Sequence, residues 1–291
     1  MRYAVKHLTR YAYGAPVDLG YHLLRLVPPA TARQRLIEHA IAIDPKPEHV
    51  GSLVDHFGNA VRHVAIERRH DAFAAELSAT VEVGAAKAEP PAGPPWEEIA
   101  ATIRDDGFTA EWAAAEFAYA SPLAPEDAAA RAYCAESLTP KRPIVTSLRE
   151  LTARINRDFA YVPGATTVTT PVAEVMRIRR GVCQDFAHVM IAGLRAHGLP
   201  ARYVSGYVRT VPPPGGTERR GGDASHAWAA AWCGPAIGWI EFDPTNDLIV
   251  NEEHIVLAYG RDFSDVSPLR GVILGGGAHT VEVSVTMKPL G

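Results

Sequence analysis

The sequence predicts an α+β protein: an N-terminal antiparallel β domain followed by helices packed on a second antiparallel sheet. Three observations carry this. Over residues 1 to about 88 the chain has a strand-like period, clearest where Leu77, Ala79, Val81 and Val83 alternate with Ser78, Thr80 and Glu82. From Trp96 to Gly198 the composition turns helical, and Phe186, Ala187, Met190, Ile191 and Leu194 fall at helical spacing. Beyond Gly198 the short period returns, at 201–208, 224–233, 239–242 and 280–286. Helices first and an antiparallel sheet afterwards define the α+β pattern.

In the first region Leu23–Val27 and Ile37–Ile43 are shorter strand candidates. Gly58-Asn59 lies between two strand-like runs, a hairpin signal. Strands at this spacing predict a small β-sandwich over 1–88. Its histidines, His7, His22, His39, His49, His56, His63 and His70, are scattered without ligand spacing and read as ordinary sheet or surface residues. The proline-rich stretch 89–95 reads as a linker, because proline neither donates to a sheet nor continues a helix. Residues 96–291 then form the second unit. Helices are expected over the alanine-rich 111–119, from Pro125-Glu126-Asp127 with the proline and acids in the first turn, from a capping box at Ser147–Glu150 to about Asn156, and over 171–178 with Thr170 as N-cap and Pro171 at the first helical position. The Pro- and Gly-rich segment 209–222 predicts a mobile polar loop.

Composition bounds the function. The 291 residues are 47% hydrophobic and 21% charged, with a formal net charge of -4 and a pI near 6.3. That balance argues for a soluble globular protein and against a nucleic-acid partner. No apolar run reaches membrane-spanning length, and no apolar signal core follows Met1–Lys6, so a cytoplasmic protein without membrane association is expected. Three cysteines, Cys134, Cys183 and Cys233, are too few and too odd in number for a disulfide framework. There is no CxxC pair, HExxH helix or EF-hand loop, so no metal or other cofactor is expected. The pattern specifies no oligomeric state.

Cys183 carries the chemistry. Gly181 turns the chain into it, and Gly198 is placed to stop the helix that follows. At a helix start the free N–H groups and the dipole favour a thiolate. A cysteine nucleophile needs a base, and the base an orienting group. His226, in Ser225-His226-Ala227-Trp228, opens one strand; Asp243, in Phe242-Asp243-Pro244-Thr245, closes the next. A hairpin turning at Gly234-Pro235 makes the two directly opposed on one face, about 5 Å apart at Cβ. Taken singly, each has a plainer reading: a core cysteine, a structural histidine, an aspartate opening a turn.

Gly181-Val-Cys-Gln-Asp-Phe-Ala-His188, His226-Ala-Trp228 and Asp243-Pro-Thr-Asn246 resemble, in order and spacing, the three blocks of the transglutaminase-like superfamily with its papain-like core. The closest likeness is to bacterial transglutaminase-like predicted cysteine proteases with an N-terminal β domain, which Tyr11-Ala12-Tyr13, Pro16-Val17 and the Gly58-Asn59 region also resemble. The resemblance implies Cys183 as nucleophile, His226 as general base and acid, and Asp243 as its orienting partner. It implies a cysteine hydrolase acting on a peptide or protein amide. Acyl transfer to an amine is the alternative, and a peptide-binding or assembly module with vestigial activity a third reading. Tyr161 is a candidate oxyanion donor, with a core aromatic as the equal alternative. Tyr207 and Trp228 are candidates for lining the cleft, although Trp228 shares the face of His226 and could pack beside it. Arg177, Arg179 and Arg180 read as a solvated basic turn. Gln184, Asp185 and His188 belong to the resembling block without an assigned role.

Overall fold

The structure, a computed structural model, describes residues 1–85, 89–105, 112–210, 212, 219–222 and 224–290. Five strands open the chain: β1 (Arg2–Leu24), β2 (Gln34–Asp44), β3 (His49–Val54), β4 (Ala60–Ile66) and β5 (His70–Val83). Helices follow: α1 (Trp96–Asp105), α2 (Trp112–Ala115) with a 3-10 turn at Glu116–Ala118, α3 (Ala128–Ala135) and α4 (Ile144–Asp158). The short strand β6 (Ala160–Tyr161), α5 (Val172–Ile178) and the short strand β7 (Arg180–Gly181) lead to α6 (Cys183–Arg195). Next come β8 (Ala201–Val208), β9 (His226–Trp232), β10 (Trp239–Asp243), β11 (Leu248–Ile249), β12 (His254–Gly260), α7 (Phe263–Val266), β13 (Leu269–Gly275) and β14 (His279–Leu290). No helix among the described residues is long and apolar enough to cross a membrane.

The N-terminal region is an antiparallel half-barrel built on β1, a single seven-stranded sheet rather than the expected sandwich. One edge of β1 pairs with β5 and then β4, and the other with β14 and then β13. The last two strands of the described chain therefore belong to the first sheet, although the linker at 89–95 suggested that 96–291 forms one unit. Periodicity marks 280–286 as a strand but does not say which sheet takes it. No second sheet is needed, because the half-barrel buries its inner face against the core: Tyr207, Ile255 and Leu257 share a cluster with Tyr3, Val5, Phe73, Val285 and Met287. Truncation after Pro268 is expected to strip one whole edge of β1 and uncover this cluster. Size-exclusion chromatography should show aggregation, and a monomer with an unchanged cooperative melt would contradict the pairing.

The core sheet runs β11-β10-β9-β8-β12, all antiparallel. Its edge strand β12 is covered by two amides of the half-barrel. Gln34 accepts from Val256 N–H (2.7 Å) and donates to Val256 O (2.9 Å), and Asn59 does the same at Tyr259 (2.8 and 2.7 Å). Each amide imitates a neighbouring strand, which removes an exposed edge. Phe186, Ala187, Met190, Ile191 and Leu194 of α6 are all buried in the core, as their spacing predicts.

Helix starts shift in instructive ways. α4 begins at Ile144, not at Ser147, because carbonyls of the linker satisfy its first-turn donors: Ile144 N–H bonds Pro94 O (2.8 Å) and Val145 N–H bonds Ala92 O (3.0 Å). Ser147 is then buried inside the helix and caps nothing. Asp127 is the cap of α3 rather than part of its first turn, accepting from Ala130 N–H at 2.7 Å. Pro171 occupies the N-cap position of α5, without a side-chain capping bond, rather than its first helical position behind Thr170. The expected helix start at Glu111 and half of the loop expected at 209–222 (residues 211 and 213–218) lie outside the described residues.

Candidate active site

Cys183 is the first residue of α6, behind the extended residue Val182. The Asp185 carboxylate reaches back to accept from Val182 N–H (2.8 Å) and from the Thr166 hydroxyl (2.6 Å). That fixes the helix entry and leaves the Cys183 N–H as a first-turn donor without an intrahelical partner. Cys183 is 7% exposed. His226 starts β9 and Asp243 ends β10, both essentially sealed from solvent.

The two are bonded, His226 Nε2 to Asp243 Oδ2 at 2.8 Å, but not through the expected register. Phe242 pairs with Ala229, which continues to Asp243 opposite Trp228. His226 is thus the diagonal neighbour, two residues further along. A two-residue offset preserves the face, and the imidazole spans the longer diagonal. With Nε2 committed to Asp243, Nδ1 is buried without a hydrogen-bond partner among the described residues, and Cys183 is close enough to act electrostatically on the ring.

Electrostatics follow from this arrangement. Burial opposes a charged imidazole, but the Asp243 carboxylate and Cys183 outweigh it, and the His226 pKa is raised to about 10. Burial likewise opposes the Asp243 charge, yet the imidazolium and its hydrogen bonds hold that carboxyl well below the usual range. Five donors converge on it. Oδ2 receives His226, Asn246 Nδ2 (2.8 Å) and His254 Nε2 (3.2 Å); Oδ1 receives the N–H groups of Thr245 (2.9 Å) and Asn246 (3.2 Å). Burial lowers the His254 pKa despite Asp243, so that ring is a neutral donor. His226, Asp243 and His254 are also the one group of metal-ligating side chains found close together among the described residues. Hydrogen bonds already occupy both Asp243 oxygens.

The other sequence candidates separate. Trp228 is fully buried, 5.8 Å from His226 ring to ring, with its indole N–H on Glu241 (2.9 Å). It packs beside His226 rather than lining an open cleft. Tyr207 points to the half-barrel, where its hydroxyl meets His7 Nδ1 at 2.9 Å, and it is not brought to Cys183. Tyr161 pairs by its backbone with Gly181, and its half-buried ring packs on the core near Phe186. Arg177 pairs with Glu174, and Arg179 stacks over Tyr133 and Phe159. Gln184 donates to Val168 O (3.0 Å), and His188 accepts from Phe263 N–H (3.2 Å).

Residues 3–82 match the bacterial transglutaminase-like N-terminal region, and residues 131–244 match the transglutaminase-like superfamily. An uncharacterized protein of Mycobacterium tuberculosis is 40% identical over 300 residues, covering 99% of this chain and 93% of its own. The chain belongs to the transglutaminase-like superfamily. A Cytophaga hutchinsonii structure described as a "Putative Cysteine Protease" is similar to this transglutaminase-like protein throughout, with a TM-score of 0.75 at 19% identity over 100% of this chain and 92% of its own. A protein-glutamine gamma-glutamyltransferase of Pseudomonas aeruginosa is 35% identical over 104 residues, 33% of this chain and 15% of its own.

Two residues of this transglutaminase-like site received no role from the sequence. Asn246 lies in the Asp243 block, and its side chain ties the end of the 209–222 segment to Asp243, accepting from Arg220 N–H at 2.9 Å. His254 sits on a strand that neighbours β8, not β10, so no local period points to it. Gly221 follows Arg220 and roofs the imidazole. Its φ is +79°, and a Cβ there would stand 2.6 Å from His226 Nδ1. Gly221→Ala is expected to slow Cys183 alkylation at least about tenfold, since left-handed strain and the clash act on one ring. Gly222→Ala, whose Cβ would meet only ordinary contacts from 3.4 Å, is the control. Equal rates for the two variants would refute the roof.

Proposed function

We propose that the protein is a cysteine-dependent amide hydrolase acting on a peptide or protein substrate through Cys183, His226 and Asp243. The observation that carries this is the 2.8 Å His226–Asp243 bond on one side of an imidazole whose other side is left to a helix-start thiol. Because the ring keeps its proton through neutral pH, the pair is suited to rest as thiolate and imidazolium. The sulfur adds to the amide carbonyl, and the Cys183 N–H is the first donor available to the oxyanion. Collapse breaks the C–N bond, and the amine leaves with the His226 proton. Water then adds to the thioester while His226 takes its proton, and the acid is released as the thiol is restored.

The same thioester can pass to an amine instead of water. The name of the Pseudomonas aeruginosa relative favours that second reading. A peptide-library digest with a labelled primary amine present tests both. New peptide termini support hydrolysis, and amine incorporated into glutamine-containing peptides supports transfer. Neither product from a folded protein whose Cys183 alkylates rapidly would refute amide chemistry on peptides.

A further inference from the structure

A second concave place in the molecule does not include Cys183. A cavity of about 740 Å³ opens at the seam of the half-barrel and the core sheet, walled by residues 31–34, by Glu89–Pro91 of the linker and by β10 and β12. That volume lies within the range of small-molecule sites, roughly 300–1,000 Å³. Much of the lining is apolar, including Trp239, Ile249, Val250 and Val256.

Its polar content is unbalanced. Arg202 lies with its guanidinium 3.8 Å from the Tyr259 ring centre and 4.4 Å from that of Trp239, and its Nε is buried without a hydrogen-bond partner. Among the described residues no carboxylate lies within ion-pair distance of it. Glu241, which also lines the cavity, spends its two oxygens on the Trp228 indole (2.9 Å) and the Tyr259 hydroxyl (3.1 Å). Arg33 faces the same cavity, and its guanidinium is likewise without a carboxylate. Both arginines act electrostatically on the Tyr259 hydroxyl, which places them around one point. Arg149 is different, being paired with Glu89. A stacked guanidinium held in place with its donors unspent is a ready partner for a carboxylate, which matches its fork geometry.

We propose that this seam cavity binds a small carboxylate with an apolar body, its anionic end on Arg202 and Arg33 and its body against Trp239, Ile249, Val250 and Val256. The site reaches His254 from behind Asp243, so its ligand is not the acyl group held by Cys183.

Calorimetric titration of the full chain with 4-phenylbutyrate, beside 4-phenylbutanol and 4-phenylbutylamine, tests this. The carboxylate should bind at least tenfold more tightly than either analogue. Arg33→Gln and Arg202→Lys should each weaken it about tenfold or more, as the loss of a charge-assisted bond does. Arg33 is half-buried, with no hydrogen bond to its guanidinium among the described residues, so its variant keeps the test valid if Arg202→Lys fails to fold. Cys183→Ala should bind with unchanged affinity. Equal binding of acid and alcohol, indifference to both arginine variants in folded protein, or loss of binding in Cys183→Ala would each overturn the proposal.

Discussion

Cys183→Ala is expected to abolish iodoacetamide labelling at pH 6 and to lower amide turnover by at least about 10³-fold, while leaving the fold intact. The effect is large because, in the proposed mechanism, the sulfur is the atom that bonds to substrate. Labelling at pH 6 is the sharper half of the measurement. A free thiol with a pKa of about 8.5 is under 1% ionised there, whereas a thiolate paired with an imidazolium stays reactive. Cys134 and Cys233 are buried, and burial pushes both thiols up to about 12, so neither should contribute to the signal. Stability should change by no more than about 1 kcal/mol, since alanine removes one atom at a helix end. Labelling of wild type no faster than free cysteine, or turnover retained by the alanine variant, would end the case for a nucleophile.

Asp243→Asn should cost both activity and stability. An amide presents one acceptor and one donor group where five donors now meet two oxygens. Whichever way it turns, its NH₂ faces donors. Turnover should fall by roughly 10³–10⁴-fold, the loss expected when a triad imidazole is held in the wrong tautomer. Stability should fall by roughly 2–4 kcal/mol, the cost of breaking one side of a buried pair. The loss depends on pH, and its sign follows from the shifts. The Asp243 pKa is depressed, so the stability it brings is present above about 4 and is lost as pH falls further. The His226 pKa is raised to about 10, so its share is complete below about 6.5 and is lost as pH rises toward 10. These are two views of one interaction. Urea denaturation at pH 3, 5.5 and 9.5 should show the largest gap between wild type and variant at pH 5.5. A gap independent of pH would mean the pair is not ionised.

The catalytic candidates were legible because each sits where a local signal is strong. Cys183 follows a turn glycine and opens an apolar helix, His226 opens a strand, and Asp243 closes one before a proline. Parity also survived the wrong register, since two residues return a strand to the same face. His254 was invisible because its contact with Asp243 depends on sheet order, which period does not encode. The same holds for β13 and β14, whose alternation reveals strands but not their partner. Ser147 shows the converse: a genuine capping pattern lost to linker carbonyls three residues earlier.

The strand β1 is synthesised long before β13 and β14, yet one of its two hydrogen-bonding edges waits for them. Partners separated by nearly the whole chain are slow to meet, because loop closure precedes any gain from contact. At about 5–20 residues per second, translation alone holds that edge open for tens of seconds. The buried seam against the core, which includes Ile255, Leu257, Val285 and Met287, can therefore close only after Cys183, His226 and Asp243 have all been synthesised.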